Sequence, residues 1–170
     1  MSGNLALRPI EQEDIEFLHT LYTDPTVVKY WFIETYHSKA KIEKSFEEDL
    51  NDERSRNFVL HKGKEQIGFV NLYSIDPVHR HAEFGIMIDP KQQGKGYAKH
   101  ATKLAMDYAF RILNLHKLFL FVDVENNIAK KVYEKVGFQQ EAVLKESFFV
   151  DGSYHDVVYM SAFQRDYLKA

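Results

Sequence analysis

The pattern of hydrophobic and polar positions along the chain predicts strands and helices that alternate from one end to the other. Ile15, Leu18 and Leu21 recur at helical spacing and predict the first helix. From Asn57 onward the period is two, in segments rich in β-branched and aromatic residues, and this predicts strands. The predicted strands cover residues 5–8, 58–61, 66–75, 82–88, 118–122, 142–150 and 154–163, and the predicted helices cover 11–22, 38–50, 97–113 and 127–136.

Turn residues between these segments support the same boundaries. Gly63 lies between two strands of a predicted hairpin, Asp151-Gly152 favours a second, tight hairpin, and Gly137 ends the last helix. The continuous apolar run 118–122 is typical of a strand covered on both faces. The resulting order, β-α-α-β-β-β-α-β-α-β-β, predicts an α/β (α+β) fold built by a single domain over residues 1–170.

Composition narrows the classes of function. The chain has 170 residues and no cysteine, which excludes disulfide scaffolds, thiol catalysis and cysteine–zinc sites. A formal net charge of −3 gives no bulk attraction to nucleic acid, so we expect no nucleic-acid partner. The first eight residues lack the pattern of a secretory signal, and the longest purely apolar run, 118–122, is far too short to cross a bilayer. We therefore expect a cytoplasmic protein with no membrane partner.

Residues 92–98 read Gln-Gln-Gly-Lys-Gly-Tyr-Ala and are the segment most indicative of chemistry. They follow a predicted strand and precede a predicted helix, where free backbone N–H groups and the helix dipole form an anion site. Gly94 and Gly96 let a ligand approach the backbone closely. A Walker loop is excluded because Gly96 follows Lys95, and a dinucleotide fingerprint is excluded because Lys99 replaces its third glycine. Spacing alone leaves open a second interpretation, in which the glycines only shape a connection.

A second motif lies in and after the predicted helix 127–136. Ala129 and Tyr133 are four residues apart and share one helix face, and Gly137 and Phe138 follow where the helix ends. Together the two motifs resemble those of the GNAT N-acetyltransferase superfamily, in which an Arg/Gln-x-x-Gly-x-Gly/Ala pattern binds the pyrophosphate of acetyl-CoA. The matching residues are Gln93, Gly96 and Ala98 in the first motif, and Asn126 or Asn127, Ala129, Tyr133, Gly137 and Phe138 in the second.

Within that superfamily the chain is most similar to the bacterial spermidine N-acetyltransferases, and the resemblance extends over residues 5–168. It implies a GNAT fold with a mixed, mostly antiparallel sheet of six or seven strands flanked by helices. It also implies acetyl-CoA as co-substrate, a polyamine such as spermidine or spermine as acceptor, and a homo-oligomer, a dodecamer in that family, with an allosteric polyamine site. The segments that carry the resemblance are 30–32, 79–84, 104–108, 113–117 and 148–152.

The chain departs from that family in an acidic stretch that follows its Tyr-Trp-Phe residues. Glu34 is retained, but Ile33, His37 and Lys41 stand where the family has carboxylates, and Ser74 replaces a further acid. Because carboxylates hold polyamine cations, these changes concern the implied regulatory site more than the acetyl-transfer motifs.

Two residues are candidates for proton transfer. The resemblance assigns Tyr133 the role of general acid, and a phenol with a reference pKa of about 10 can protonate a departing thiolate. Glu83 is the candidate for receiving the amine proton, directly or through water. The sequence leaves open that Tyr133 is a core residue and that Glu83 is a surface partner of Arg80 or Lys117.

The remaining candidate residues concern cofactor and substrate. The implied cofactor-binding residues, including strand backbone groups that polarise the thioester carbonyl, are Ile86, Met87, Ile88, Gln93, Gly94, Lys95, Gly96, Tyr97, Ala98, Lys99, Asn126, Ala129 and Lys130. The candidate substrate-binding residues, chosen as carboxylates, aromatic groups and strand residues beside a cationic amine, are Tyr30, Glu34, Tyr36, Asp49, Asp52, Glu83, Phe84 and Gly85. His79 and His81 share a strand face with no third ligand spaced nearby, so we expect no catalytic metal.

Two other functions remain open at this point. The same fold could acetylate a protein N-terminal amine or a lysine, or the chain could be a noncatalytic module that responds to a polyamine or acetyl-CoA. Glu34 and Asp49 favour a multiply charged amine, while Tyr133 and residues 93–98 argue against a noncatalytic module.

Overall fold

The computed structural model describes residues 4–169 and arranges them as seven strands and six α-helices. The strands are β1 (Leu5–Pro9), β2 (Arg56–Lys62), β3 (Glu65–Asp76), β4 (His81–Ile88), β5 (Lys117–Asp123), β6 (Gln139–Val150) and β7 (Ser153–Phe163). The helices are α1 (Ile15–Thr23), α2 (Pro25–Val28), α3 (Lys39–Asp49), α4 (Tyr97–Asp107), α5 (Asn127–Glu134) and α6 (Gln164–Tyr167). The predicted domain boundaries, 1–170, include residues 1–3 and 170, which lie outside the described residues.

The seven strands form one mixed sheet in the order β1-β2-β3-β4-β5-β7-β6. Neighbouring strands are antiparallel except β4 and β5, which run parallel. A parallel pair needs a crossover connection, and α4 supplies it. The predicted mixed, mostly antiparallel sheet flanked by helices is confirmed.

Each face of the sheet carries its own hydrophobic core. Phe84 and Phe138 belong to the core that packs beneath α4 and α5. Leu18 of α1, Ile42 of α3 and Met87 belong to the core on the opposite face. Because successive side chains of a strand point to opposite faces, β4 contributes to both cores. This alternation determines which face of the sheet each β4 side chain lies on.

Two helical segments differ from the sequence prediction. α2 has only four residues, too few to show a helical period, and its start is set by Asp24 Oδ1, which accepts a hydrogen bond of 2.8 Å from Thr26 N–H. The predicted helix 97–113 changes after Asp107 into a π-helical turn over Tyr108–Ile112. Both differences are local and leave the order of the other elements unchanged.

The prediction that β5 is covered on both faces is wrong. Leu118, Leu120 and Val122 are buried, whereas Phe119 and Phe121 are half-buried. The face that carries these two rings packs on another aromatic side chain, Tyr159 of β7, with ring centroids 5.4 and 5.5 Å apart. Although residues 118–122 are all apolar, they alternate between buried and half-buried positions along the strand.

The hairpin of β6 and β7 ends in the predicted tight turn, because Asp151 and Gly152 both have positive φ, 49° and 83°. β6 is an edge strand, and its pairing with β7 shifts between Leu144 and Phe148. The side chain of Asp156 holds this irregular segment: its two oxygens accept 2.8 Å from Glu146 N–H and 2.7 Å from Lys145 Nζ. The strand is thus bent away from a regular ladder where its edge faces outward.

None of the helices within residues 4–169 is both long and apolar enough to cross a membrane.

Candidate functional site

The central feature of the site is a gap between β4 and β5. The two strands pair only at His81, Ala82 and Glu83, which face Lys117, Leu118 and Phe119 of β5. From Phe84 to Ile88, β4 keeps its β3 partners, but no β5 residue of the described chain pairs with it. The carboxyl ends of parallel strands lie at the same sheet edge, so the gap opens where α4 and α5 begin.

The loop before α4 presents free backbone N–H groups at that opening. Gly94 and Gly96 both adopt φ of +76°, and Gly96 is the N-cap of α4. A Cβ built on either glycine meets no atom within 4 Å, which leaves room for a ligand at the backbone. The first N–H groups of an α-helix have no intrahelical acceptor and attract anions. The loop therefore fits a pyrophosphate group.

Side chains around this loop brace it rather than fill it. Lys95 Nζ donates a 2.7 Å hydrogen bond to Gln92 Oε1, and the buried Gln92 donates one of 2.5 Å to Glu65 on β3. Gln93 Nε2 donates to the Ile88 carbonyl at 3.2 Å, while Lys99 is exposed. Lys95 is thus partly committed to the loop, and Lys99 remains directed to solvent at the first turn of α4.

The start of α5 uses two of the predicted cofactor residues for its own structure. Asn126 Oδ1 caps the helix by accepting 3.1 Å from Ala129 N–H, and Lys130 Nζ donates 2.5 Å to the Val124 carbonyl. Tyr97 and Ala98 of α4 are half-buried, with Tyr97 packed against the core beneath. Asn126 and Lys130 thus stabilise the start of α5, and Tyr97 helps to anchor the start of α4 on the core.

Tyr133 stands on the α4 and α5 side of the sheet. Its ring packs edge-on against Phe84, with centroids 6.2 Å apart, and at a tilt against Phe138, with centroids 5.8 Å apart. The phenol makes no hydrogen bond to another side chain or backbone group within residues 4–169, and burial raises the pKa of Tyr133 to about 12. A phenol with a raised pKa keeps its proton at neutral pH and can donate it.

Glu83 stands on the opposite side of the sheet, two residues before Gly85 in the same strand. It is half-buried, and Tyr73 Oη donates a hydrogen bond to its Oε1. Burial raises the pKa of Glu83, and the hydrogen bond from Tyr73 opposes that rise. The interpretation of Glu83 as a partner of Arg80 or Lys117 is wrong, because Lys117 pairs with Glu141 at 2.9 Å and Arg80 makes no salt bridge within the described chain.

Trp31 covers the β4 backbone beside Glu83. Its indole Nε1 donates a 2.9 Å hydrogen bond to the Ile86 carbonyl, and its ring lies over Gly85. A Cβ on Gly85 would lie 2.6 Å from Trp31 Cη2 and 2.5 Å from Asn71 Oδ1, so only glycine fits. Gly85, a predicted substrate-binding residue, therefore acts by admitting the tryptophan, which forms one wall of the gap.

The other predicted substrate residues fall into two pockets. Asp49 and Asp52 line a pocket of about 430 Å³ under α1 and α3, which we call the α1–α3 pocket. Glu34 and Tyr36 line a second pocket of about 310 Å³ beside the β6–β7 hairpin, the hairpin pocket. Lys41 lines the first and lies 3.7 Å from Glu34, so the two pockets are neighbours. The sequence analysis placed these acidic residues in one substrate site, but in the structure Lys41 lies between the acids of the two pockets.

Two of the predicted side chains point into a hydrophobic core, and a third lies exposed beside a lysine. Phe84 is buried in the α4 and α5 core, so its side chain faces away from Glu83. Met87 is buried in the opposite core, which leaves only its backbone for the cofactor. Tyr30 is 43% exposed, and the ammonium of Lys29 lies 4.8 Å from its ring centroid. Strand alternation and an adjacent lysine explain these outcomes.

Sequence reasoning missed Tyr73, the hydrogen-bond partner of Glu83. Tyr73 faces Glu83 across β3 and β4, and the register shifts directly after this pair. A shift of this kind cannot be deduced from the spacing of residues along one strand. Among residues 4–169, no cluster of three or more His, Asp or Glu side chains is placed to hold a metal ion.

Comparisons with known proteins agree with this geometry. Residues 4–139 match the model of the acetyltransferase (GNAT) domain family. The chain is 43% identical to spermidine N(1)-acetyltransferase of Escherichia coli K12 over 97% of this chain and 89% of that protein, and 43% identical to the Vibrio cholerae enzyme over 99% and 98%. The crystal structure of the V. cholerae enzyme with CoA and spermine superposes with a TM-score of 0.95, at 43% identity, over 96% of this chain and 98% of that one.

Replacing Gly85 with alanine tests the contact between β4 and Trp31. The added methyl group would overlap the indole ring and displace it, so we expect the free energy of unfolding to fall by about 1–3 kcal/mol. Trp31 is the one tryptophan of the chain, so its fluorescence reports this contact directly. We expect a shifted emission maximum in Gly85→Ala.

Gly63→Ala is the matched control, because a Cβ there meets no atom within 4 Å. It strains the β2–β3 turn without touching Trp31, so it should leave the emission unchanged. Identical emission spectra and stability for Gly85→Ala and the parent protein would contradict the packing described above.

Proposed function

Because the chain belongs to the GNAT acetyltransferase family, we propose that it transfers the acetyl group of acetyl-CoA to a primary amine of a polyamine such as spermidine or spermine. The observation that carries the proposal is the gap between β4 and β5, with the Tyr133 phenol on one side of the sheet and the Glu83 carboxylate on the other. A donor and an acceptor of protons thus adjoin one opening from opposite sides. The similarity to spermidine N-acetyltransferases supports the choice of acceptor.

Acetyl-CoA supplies the activated acetyl group and the thiol that leaves. We assign its pyrophosphate to the backbone N–H groups of residues 94–97, where the two glycines leave space and α4 begins. Lys95 and Lys99 add positive charge beside this loop. We assign the thioester to the unpaired edge of β4 over residues 86–88, whose backbone can orient and polarise its carbonyl.

Tyr133 is the proposed general acid. Its phenol is protonated at neutral pH because burial raises its pKa to about 12, and no group of residues 4–169 competes for its hydrogen bond. The helix α5 and the rings of Phe84 and Phe138 hold it in place. It can therefore deliver a proton to the leaving thiolate sulfur.

Glu83 is the proposed general base. The attacking amine must be neutral, yet a polyamine is largely protonated at pH 7, so a nearby carboxylate has to take a proton from it. Glu83 faces the α1 and α3 side, from which an acceptor can approach without crossing the cofactor loop. Burial raises the pKa of Glu83 and makes it a better proton acceptor than a fully exposed carboxylate.

The acids of the two pockets are the proposed binding sites for the other ammonium groups of the polyamine. Asp49 and Asp52 lie together in the α1–α3 pocket, where burial and the charge of Asp52 raise the pKa of Asp49. A bound cation would relieve that repulsion. Glu34 in the hairpin pocket offers a further carboxylate, shared in part with Lys41. Several separated negative charges suit an elongated polycation better than a single amine.

We further propose that this activity belongs to one domain spanning the chain, that the protein works in the cytoplasm, and that it assembles as a homo-oligomer. Acetyl-CoA and polyamines are cytoplasmic metabolites, which supports the location. Phe149 and Tyr154 at the end of the β6–β7 hairpin are 61% and 65% exposed and stack edge-on at 5.2 Å. Exposed aromatic pairs of this kind favour contact with another copy of the chain.

Removing the Tyr133 hydroxyl tests both the acid and the substrate class. We expect Tyr133→Phe to release CoA from acetyl-CoA and spermidine about 10²-fold more slowly than the parent protein. Its melting temperature and acetyl-CoA affinity should barely change, because the hydroxyl makes no hydrogen bond within residues 4–169. The measurement is CoA release with spermidine, spermine, a peptide with a free N-terminus and a lysine peptide.

Tyr108→Phe is the control, since Tyr108 is another half-buried tyrosine, packed on Phe58 at 5.2 Å away from the gap. It should retain parental turnover. Full activity of Tyr133→Phe would make Tyr133 a packing residue only. Acetylation of the peptides but not of the polyamines would identify the chain as a protein acetyltransferase.

A negative charge in the glycine loop tests the cofactor assignment. We expect Gly96→Asp to weaken CoA binding, measured by calorimetry, at least tenfold, or about 1.4 kcal/mol, because its carboxylate would repel the pyrophosphate. Gly96→Asn has the same shape and the same backbone strain without the charge, so it should bind CoA more tightly than Gly96→Asp. Equal affinities for the parent and Gly96→Asp would place the pyrophosphate elsewhere.

Light scattering tests the assembly. We expect the parent protein to have a mass at least twice the chain mass. The double variant Phe149→Ser with Tyr154→Ser should have a smaller mass, because it lacks the exposed aromatic pair. A monomeric parent protein would rule out the oligomer.

A further inference from the structure

Tyr73 and Glu83 lie opposite each other at the point in the sheet where β4 stops pairing with β5. Glu83 is the last residue of β4 that pairs with β5, through Phe119, and it also faces Tyr73 of β3. Side chains directly opposite on neighbouring strands are close enough to bond. Tyr73 Oη donates its hydrogen bond to Glu83 at the point where the gap begins.

The backbone of β3 is irregular directly after Tyr73. Pairing with β4 shifts between Tyr73 and Asp76, and Ser74 in between adopts a positive φ of 51°. Such bulges bend a strand and re-aim its side chains, and they concentrate beside active sites. The regular ladder of β3 with β4 therefore ends at the same residue, Glu83, at which the ladder with β5 ends. Among residues 4–169, Tyr73 is the one side chain that hydrogen-bonds to Glu83 at this double boundary.

The charge of Glu83 is left available. No Lys, Arg or His of residues 4–169 forms a salt bridge with it. His81, two residues away on the same strand, stacks on His79 and contacts Phe119 edge-on. Within residues 4–169, Tyr22 of α1 and Tyr133 of α5 are the other titratable groups that help to raise the pKa of Tyr73.

Burial and the adjacent Glu83 raise the pKa of Tyr73, so the phenol stays protonated and donates to the carboxylate. A hydrogen bond from a neutral donor stabilises the negative charge without neutralising it, unlike a salt bridge. Burial alone would favour the protonated acid, and the Tyr73 bond opposes this.

We propose that Tyr73 is a positioning residue that holds Glu83 as an oriented carboxylate at the start of the gap, ready to accept the proton of the attacking amine. The role rests on the proposed acetyl transfer. Tyr73 acts through Glu83, and its contribution is the orientation and ionisation of that side chain.

The test compares pH profiles of kcat/KM for spermidine between the parent protein and Tyr73→Phe, which keeps the ring and loses only the hydroxyl. We expect kcat/KM at pH 7 to fall about tenfold. Without the donor the pKa of Glu83 rises, so activity should be lost at a higher pH as the solution is acidified, and the acidic limb should move upward. The affinity for CoA should stay the same.

Glu83→Gln and the double variant separate this role from a purely structural one. If Tyr73 acts through Glu83, adding Tyr73→Phe to Glu83→Gln should have little further effect on kcat/KM. Tyr108→Phe, which alters a half-buried tyrosine packed on Phe58 away from the gap, should leave the profile unchanged. An unmoved acidic limb in Tyr73→Phe, or additive losses in the double variant, would overturn the proposal.

A titration of the Glu83 carboxyl group, followed by ¹³C NMR, tests the role of Tyr73 without depending on enzyme turnover. In glutamate-labelled protein, the resonance that Glu83→Gln removes should titrate at a higher pH in Tyr73→Phe than in the parent. If the parent acetylates no polyamine but the resonance moves, the proposed function fails while the pairing stands. If the parent is active and the resonance does not move, the positioning role alone fails.

Discussion

The structure depends on how briefly β4 and β5 pair. Three parallel residue pairs, ending at Glu83 and Phe119, hold the two halves of the sheet together, and beyond them the strands part. The carbonyl of Arg80 secures the closed end by accepting hydrogen bonds from the N–H groups of His116 and Lys117. Had the ladder continued to Ile88, β5 would pair with the backbone groups of β4, and the glycine loop at residues 94–97 would face a closed sheet.

The alternation of side chains along β4 divides the chemistry between the two faces. Glu83 and Gly85 face α1 and α3, whereas Phe84, between them, faces Tyr133. The Glu83 carboxylate and the Tyr133 phenol therefore lie on opposite sides of one strand, on either side of the gap. Trp31 reaches the same strand from the α1 side and fixes its backbone at Ile86. The period of a β-strand, two residues, is what makes a two-sided site possible.

Much of this arrangement could be predicted from residue patterns, and the rest depends on contacts that patterns do not encode. The elements and the glycine loop follow from local spacing within one segment, whereas the interest of Tyr133 follows from the resemblance to the GNAT family. The partnership of Tyr73 with Glu83 depends on register across two strands and on a bulge at Ser74. The separation of Asp49 from Glu34 by Lys41 depends on how α3 packs. The requirement for glycine at position 85 depends on a tryptophan 54 positions earlier in the chain. Each of these is a long-range packing outcome.

The bent edge strand β6 bears on the solubility of the protein. A long, flat outer strand offers a row of free backbone groups that invites another polypeptide to add to the sheet, which is the first step of aggregation. In β6 the bulge held by Asp156 and the left-handed backbone at Glu146 interrupt that row within a charged stretch. The edge of β6 is therefore a poorer template for an added strand than a long, flat edge would be.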